Sequence, residues 1–155
     1  MSALKRILVG IFIVILGIGF YNLAKLYSPG SYPYAEEYNV NVNEAKLINS
    51  INKFKKTNPK YIVPGRLNLK EGRNQVNEHW YSVYFYYPES DEIIYAWTRP
   101  NGPESTTLGF VSINHGNHLG NWKDINKDFK SSQNLMQKEK FVNLILNPIK
   151  EMSTK

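Results

Sequence analysis

The most hydrophobic part of the chain lies near its start, where the run from Ile7 to Phe20 contains no polar side chain. Lys5 and Arg6 stand directly before this run, and Lys25 follows it. A helix needs roughly 20 apolar residues to cross a hydrocarbon core. A helix over residues 7–26 reaches that length, because the aliphatic stem of Lys25 can extend to the headgroups. The pattern therefore predicts a transmembrane anchor at 7–26.

Two interpretations of this segment stay open, an uncleaved anchor and a cleaved signal peptide. The apolar run is short enough for a signal-peptide core. The best cleavage candidate, at residues 22–24, has a large residue where signal peptidase prefers a small one, and this favours the anchor. Cations before the run keep residues 1–6 in the cytoplasm, by the positive-inside bias. We therefore expect a single-pass protein of the cell membrane with an extracytoplasmic domain at residues 40–155.

A linker and then a helix are predicted after the apolar run. Residues 27–39 carry two prolines and a glycine without a helical apolar period, which predicts a linker. A helix over 42–57 follows, with Asn41 as its expected cap. Ile51 and Phe54 belong to its single apolar stripe, so we expect both side chains to pack against a sheet.

The middle of the chain predicts an antiparallel sheet. Residues 79–87, 93–99 and 106–114 are dense in β-branched and aromatic residues, and 61–63 reads as a shorter strand. Residues 88–92 supply turn chemistry for a hairpin. The connections are too short for parallel crossovers, so a meander of three or four strands is expected.

A short helix is predicted directly after the last long strand. Asn121 can cap it, and Asp124 lies in its first turn. Trp122, Ile125 and Phe129 recur at helical spacing.

The last predicted helix begins at residue 131 or 132, and Pro148 is expected to kink or end it. Its apolar face is formed by Leu135, Phe141, Val142, Ile145 and Ile149. The order of elements indicates an α+β fold, in which a β-meander carries helices on one face and follows an N-terminal transmembrane helix.

Charge and composition exclude several classes of protein. The net charge is +6, and half of it comes from Lys5, Arg6 and Lys25 around the apolar run. The remaining cations form no basic stripe, and no nucleic-acid motif is present, so we expect no nucleic acid as partner. The chain has no cysteine, which excludes disulfides and thiol chemistry.

Alternation in the hairpin predicts one aromatic face on the sheet. With the turn at residues 90–91, Tyr86 pairs with Tyr95 and Tyr84 with Trp97, and side chains alternate between the two faces. Such a face can bind a protein, a peptide or a sugar. It can also stay covered, or serve only to stabilise the sheet through cross-strand pairs. The candidate contact residues are Trp80, Tyr84, Tyr86, Tyr95 and Trp97.

The sequence supports a metal site or a catalytic site less strongly than it supports an aromatic binding face. His79, His115 and His118 are the weak candidates for a metal, since zinc sites usually need three or four protein ligands. No catalytic constellation is visible, so we expect neither enzyme activity nor a cofactor. The loop from His115 to Gly120 is a candidate contact surface for a partner, because binding residues often lie on loops.

The sequence therefore indicates a membrane-anchored extracytoplasmic binding module. Its expected ligand is an unidentified protein, which would make it an envelope accessory or a protein of the immunity or inhibitor type. The alternative is recognition of a glycan or wall ligand by the aromatic face. A third hypothesis is a metal-dependent hydrolase that uses His115 and His118. The pattern does not determine the oligomeric state.

Overall fold

The structure is a computed structural model. The described residues are 3–27, 32–75, 78–116 and 118–154. The chain forms two compact units, Met1–Pro33 and Tyr34–Lys155.

In the described part of the first unit, helix α1 spans Ala3–Tyr27. The apolar segment is therefore helical, as expected. Within the described part of the chain, no helix combines the length and the apolar character that a membrane crossing requires. The transmembrane helix predicted at residues 7–26 is thus not supported. The uninterrupted apolar run, Ile7 to Phe20, is itself shorter than the roughly 20 residues of a full crossing.

The second unit is an α+β domain built on an antiparallel sheet of five strands. Its strand order is β1-β4-β3-β2, and β5 pairs with the second half of β4. The three long strands of the predicted meander are confirmed. The strands are β1 (Glu36–Val40), β2 (Tyr81–Tyr87), β3 (Glu92–Pro100), β4 (Thr106–His115) and β5 (Trp122–Asp124).

Strand β1 lies inside the segment that was expected to be a linker. It pairs antiparallel with the first half of β4, in register from Glu36 opposite Phe110 to Val40 opposite Thr106. Tyr38 of β1 turns inward and packs on Phe141 with 5.8 Å between ring centroids. The linker prediction was wrong here because contacts far away in sequence, and not local propensity, order this strand.

Strand β5 replaces the helix predicted from Trp122 onward. Trp122 pairs with Asn114 and Asp124 with Ser112, so the backbone adds to the edge of β4. The helical spacing was misleading because pairing to an existing strand outweighs a weak local preference. Ile125, one residue beyond the strand, is still fully buried in the core.

Helix α2 spans Glu44–Thr57 and begins two residues later than expected. Asn43, and not Asn41, is its cap, and its side chain accepts a hydrogen bond of 2.9 Å from the backbone N–H of Lys46. The strand predicted at 61–63 is also wrong, because Pro59–Tyr61 forms a 3-10 turn.

The C-terminal helices form one nearly continuous path. Helix α3 covers Ser131–Phe141, a π-helical turn covers Val142–Leu146, and α4 covers Asn147–Thr154. Pro148 therefore does not end the helix, since the wider turn before it relieves the clash between its ring and the preceding carbonyls. Leu135 was expected on the apolar face but is 56% exposed.

The helices of the second unit pack on one face of the sheet. Ile51 and Phe54 of α2 are each 2% exposed, which confirms their predicted orientation. Phe85 of β2 and Phe110 of β4 meet Phe141 of the C-terminal segment in this core, with ring centroids at 6.4 and 4.5 Å. The opposite face of the sheet is the one that carries the candidate site.

Candidate functional site

The aromatic face, defined as Trp80, Tyr84, Tyr86, Tyr95 and Trp97, lies opposite the helical core. The observed register pairs Tyr84 with Tyr95 and Tyr86 with Ile93. The expected pairing of Tyr86 with Tyr95 was therefore wrong by two residues. Because side chains alternate with a period of two, this shift leaves every residue on its predicted face.

Trp97 belongs to the aromatic face, but its side chain is buried. Its side chain is 1% exposed, and its ring lies directly over Gly109 of β4, where a Cβ would stand 2.3 Å from Cε2 of the indole. The guanidinium of Arg99 stacks on the same ring at 5.5 Å, and Trp80 meets it edge-on at 6.3 Å. The predicted contact at Trp97 is therefore corrected to a structural role.

The exposed part of the face is organised by an aromatic row, defined as Tyr84, Tyr95 and Trp122. The rings of Tyr84 and Tyr95 stack at 5.1 Å with an angle of 22° between their planes. Trp122 meets Tyr95 at 6.2 Å and Tyr84 at 6.3 Å. The small side chain of Ser112, which pairs with Tyr95, leaves room for the indole to reach across β4. The sequence prediction missed Trp122 because it placed this residue on a helix.

The hydroxyl groups of Tyr84 and Tyr86 stay protonated, because the pKa of each is raised. Burial, with the nearby Tyr95 and Glu71, raises the pKa of Tyr84 to about 12. The Tyr86 hydroxyl donates a hydrogen bond of 2.7 Å to Asp91 in the hairpin turn. These hydroxyl groups place donors and acceptors among apolar rings, a combination that suits recognition of a partly polar surface.

One buried amide organises the loop between β4 and β5. The Nδ2 of Asn114 donates to the carbonyls of Gly116 and His118 at 3.1 and 3.0 Å. Its Oδ1 accepts the backbone N–H of Asn121 at 2.9 Å. The N–H of Gly116 donates to the carbonyl of Asp91 at 2.9 Å, which connects this loop to the hairpin turn. The described residues of the predicted contact loop are thus hydrogen-bonded to Asn114 and to the hairpin turn.

An open pocket of about 410 Å³ lies at this end of the sheet. Its described lining consists of His115, Asn121, Trp122 and Lys123, and these four residues include no carboxylate. The Nδ1 of His115 lies 3.5 Å from Oε1 of Glu92, which orients the imidazole. The four residues meet at the edge of the sheet. The Trp122 ring lies with the aromatic row, whereas Lys123 and His115 pair with Ile113 and Glu92 and so lie on the helix side.

Glu92 forms a buried polar cluster under the hairpin turn. Its Oε2 accepts hydrogen bonds from Ser90 Oγ at 2.5 Å and Lys140 Nζ at 2.8 Å, and its Oε1 accepts one from Gln137 at 3.1 Å. Burial acts to raise the pKa of Glu92, but the bonds from Lys140, Ser90 and Gln137 outweigh it and hold the pKa below its usual value. The ammonium of Lys140 also donates a hydrogen bond of 2.8 Å to Ser90 Oγ.

The depressed pKa of Glu92 predicts a specific loss of stability in acid. The unfolded chain binds the proton more tightly than the folded one, so the contribution is complete above about pH 4.5 and disappears as the pH falls through the lower folded pKa. We expect Glu92→Gln to be less stable at pH 7 and to lose less stability between pH 5 and 3 than the parent. Thermal unfolding across this range measures both, with Glu104→Gln on an exposed turn as control. Parallel curves for parent and Glu92→Gln would contradict the assignment.

The three histidines do not form a metal site in the described structure. Among the residues described, no three His, Asp or Glu side chains gather closely enough to hold a metal ion. His79 is exposed and packs edge-on against Trp80 at 5.8 Å. His115 contacts Glu92, and His118 contributes its backbone carbonyl to Asn114.

Comparison with known proteins gave no match, either to a family model, to a curated protein or to a solved structure.

Proposed function

We propose that residues 34–155 form a binding module that recognises a partner protein through its aromatic face. The observation that carries this proposal is the difference in exposure between the two faces of the sheet. The helices pack on one side, while Tyr84, Tyr86 and Tyr95 remain partly exposed on the other. Tyrosine gives a large, rigid contact area at low entropic cost, and it is enriched in interface cores.

The face is preorganised for binding. Tyr84 and Tyr95 hold each other by stacking, and the Tyr86 hydroxyl is held by Asp91. Buried Trp97 lies on the same face of the sheet and covers Gly109. A surface whose side chains are already ordered loses less entropy on association, which favours affinity. This arrangement suits an envelope accessory or a protein of the immunity or inhibitor type, and it needs no catalytic step.

Site-specific crosslinking tests the protein-binding face. A photoreactive benzoylphenylalanine at Tyr86 is expected to give a discrete adduct in the native membrane. The same group at Lys53, an exposed position on α2, is expected to give none. Tyr84→Ala should weaken capture by about 2 kcal/mol, the hot-spot range, with a smaller change in melting temperature. Equal adducts at both positions, or none at Tyr86, would contradict the proposal.

Membrane attachment through α1 is the second part of the proposal. Every described side chain from Val9 to Tyr21 is exposed, including Phe12 at 61% and Phe20 at 72%. Apolar surface left in water costs about 25 cal/mol per Å², so a lipid environment is the favourable one for this helix. The cations that precede it favour a cytoplasmic N-terminus and an extracytoplasmic module.

Fractionation and a reporter fusion test attachment and topology. Ile13→Arg should shift protein from the membrane to the soluble fraction, because an arginine at the centre of an inserted helix costs about 3 kcal/mol. Ile62→Arg is the matched control, since Ile62 is 48% exposed in the second unit. A parent protein that stays soluble would contradict attachment. A reporter after Lys155 that is active only in the cytoplasm would contradict the topology.

A second candidate function is recognition of a glycan. It is favoured by one observation, the partly exposed indole of Trp122 at the edge of the aromatic row. A sugar ring presents an apolar C–H face to an indole and a rim of hydroxyls to surrounding polar groups. Under this alternative, Trp122→Ala removes glycan binding and leaves the crosslink at Tyr86 intact.

A further inference from the structure

Strand β2 lies at an outer edge of the sheet, beside the aromatic face. Among the strands it pairs with β3 alone. An isolated antiparallel bridge between Gly72 and Ser82, with both N–H···O distances at 2.9 Å, shows that the backbone groups of Ser82 point outward. The backbone groups of Tyr84 and Tyr86 point the same way, because this orientation alternates along a strand.

The fold uses only part of this outward edge. The N–H of Tyr84 donates a hydrogen bond of 2.7 Å to Oε1 of Glu71, and this bond lies at the surface. Within the described residues, no hydrogen bond engages the C=O of Tyr84 or the N–H and C=O of Tyr86. Three neighbouring backbone groups are therefore open to pairing with a further strand.

Glu71 indicates which chemistry suits this edge. The same Oε1 also accepts a hydrogen bond from the ammonium of Lys55. This ammonium lies on the helix side of the sheet, 4.8 Å from the ring centroid of Phe85, and Lys55 is 8% exposed. Burial lowers the pKa of Lys55, although Glu71 acts to raise it. One carboxylate thus supplies the edge with both an acceptor for a backbone N–H and a negative charge.

We infer that an extended acidic segment of the partner protein adds to the sheet along β2, from Tyr84 to Tyr86. Its main chain pairs with the N–H and C=O groups of both tyrosines, as in other cases of strand addition. This inference rests on the proposed protein-binding face, and it adds the conformation and the charge of the segment that binds there.

Alternation along the added segment sets its side-chain pattern. The residues opposite Tyr84 and Tyr86 lie on the aromatic face, where apolar or aromatic side chains fit. The residue between them lies opposite Phe85 on the helix side, close to Lys55. A carboxylate at that position takes the place of Glu71, which is exposed and can turn to solvent.

Synthetic peptides test the backbone pairing. The probe acetyl-Thr-Tyr-Glu-Tyr-Thr-amide reads the same in both directions, so it assumes no strand direction. N-methylation of one tyrosine removes an N–H that faces β2, whereas N-methylation of the glutamate removes one that faces away. In calorimetric titration of the full chain in detergent micelles, the first change should weaken binding at least about tenfold and the second less than about twofold.

Variants of the edge strand locate the pairing. Tyr86→Pro removes the outward N–H, and proline is tolerated on an edge strand whose N–H faces solvent. Tyr86→Ala is the matched control, since both variants lose the phenol but only proline removes the donor. Tyr86→Pro should weaken the unmethylated peptide at least about fivefold more than Tyr86→Ala does. Melting curves show whether the fold survives, and the methylated peptides carry the test alone if Tyr86→Pro unfolds.

A change of charge in the probe tests the acidic preference. Lysine in place of the glutamate should weaken binding to the parent at least about tenfold, because the charged hydrogen bond to Lys55 is lost. In Lys55→Met the two peptides should bind within about twofold of each other. Lys53→Met changes the net charge equally at an exposed position of α2 and should keep the preference. Equal binding of the two peptides to the parent would overturn the inference.

Failure of strand addition is distinguishable from failure of the protein-binding face. Equal binding of the two methylated peptides, or no binding of the probe at 10 mM, roughly the weakest binding of interest, overturns strand addition. The crosslink at Tyr86 then decides separately whether a protein binds the aromatic face through side chains alone. A dimer of the parent chain that Tyr86→Pro dissociates in analytical ultracentrifugation would place a second copy on this edge and would also overturn the inference.

Discussion

Replacing Phe141 with alanine is expected to destabilise the second unit by about 3–5 kcal/mol, the range for a buried phenylalanine. The side chain is fully buried and stacks on Phe110, with 4.5 Å between centroids and 14° between planes. It also contacts Tyr38 of β1 and Phe85 of β2. It therefore joins three strands to the C-terminal segment, and its loss opens a cavity that none of these elements can fill alone.

Denaturant unfolding of the full chain in detergent measures this effect. Leu135→Ala is the matched control, because Leu135 lies on the same helix but is 56% exposed. The control should change stability by no more than about 0.5 kcal/mol. A loss below about 1 kcal/mol for Phe141→Ala would mean that this helix docks differently on the sheet.

Replacing Gly109 with alanine is expected to destabilise the same unit by about 3 kcal/mol, at the upper end of the usual range for overpacking. The new Cβ would stand 2.3 Å from Cε2 and 2.4 Å from Cζ2 of Trp97, far inside van der Waals contact. The indole is a rigid side chain, and Arg99 and Trp80 pack against it. It cannot yield without displacing those neighbours.

Two further variants distinguish the clash with Trp97 from the effect on stability of replacing any glycine with alanine. A Cβ at Gly65 meets nothing within 4 Å, so Gly65→Ala should change stability little. Trp97→Leu removes the ring that causes the clash. In a double-mutant cycle, Gly109→Ala should cost at least about 1 kcal/mol less in the Trp97→Leu background than in the parent. Equal costs in both backgrounds would show that Trp97 does not lie on Gly109.

The membership of each sheet face was readable from the sequence, but the register was not. Alternation placed Tyr84, Tyr86 and Tyr95 together, and the structure keeps them together after a shift of two residues. The shift comes from the hairpin turn, which is centred between Glu89 and Ser90 and not one residue later. Turn geometry depends on local backbone angles, such as the positive φ of 49° at Asp91, which the residue pattern does not specify.

Exposure of the aromatic residues was decided only by the fold. Trp97 and Tyr95 alternate onto the same face of one strand, yet Trp97 is buried and Tyr95 is partly exposed. The difference arises on the neighbouring strand, where Gly109 lies opposite Trp97 and Ser112 lies opposite Tyr95. The glycine admits the large ring to the sheet surface, whereas the serine leaves space that Trp122 enters. No pattern within a single strand contains this information.

Local sequence determined the elements whose signals are strong and continuous. The apolar stripe and the terminating Asn58-Pro59 determined α2, and the β-branched and aromatic runs determined β2, β3 and β4.

Tertiary structure decided the elements whose own propensity is weak. Strands β1 and β5 form because β4 offers them an unpaired edge, and the C-terminal helix passes Pro148 because Phe141 and Ile145 are held in the core. The pocket at His115 and Trp122 has the same origin, since it brings together the ends of two strands and the buried amide of Asn114. Backbone pairing and burial involve residues far apart in the chain, and their free energy exceeds local preferences of a few tenths of a kcal/mol wherever the two conflict.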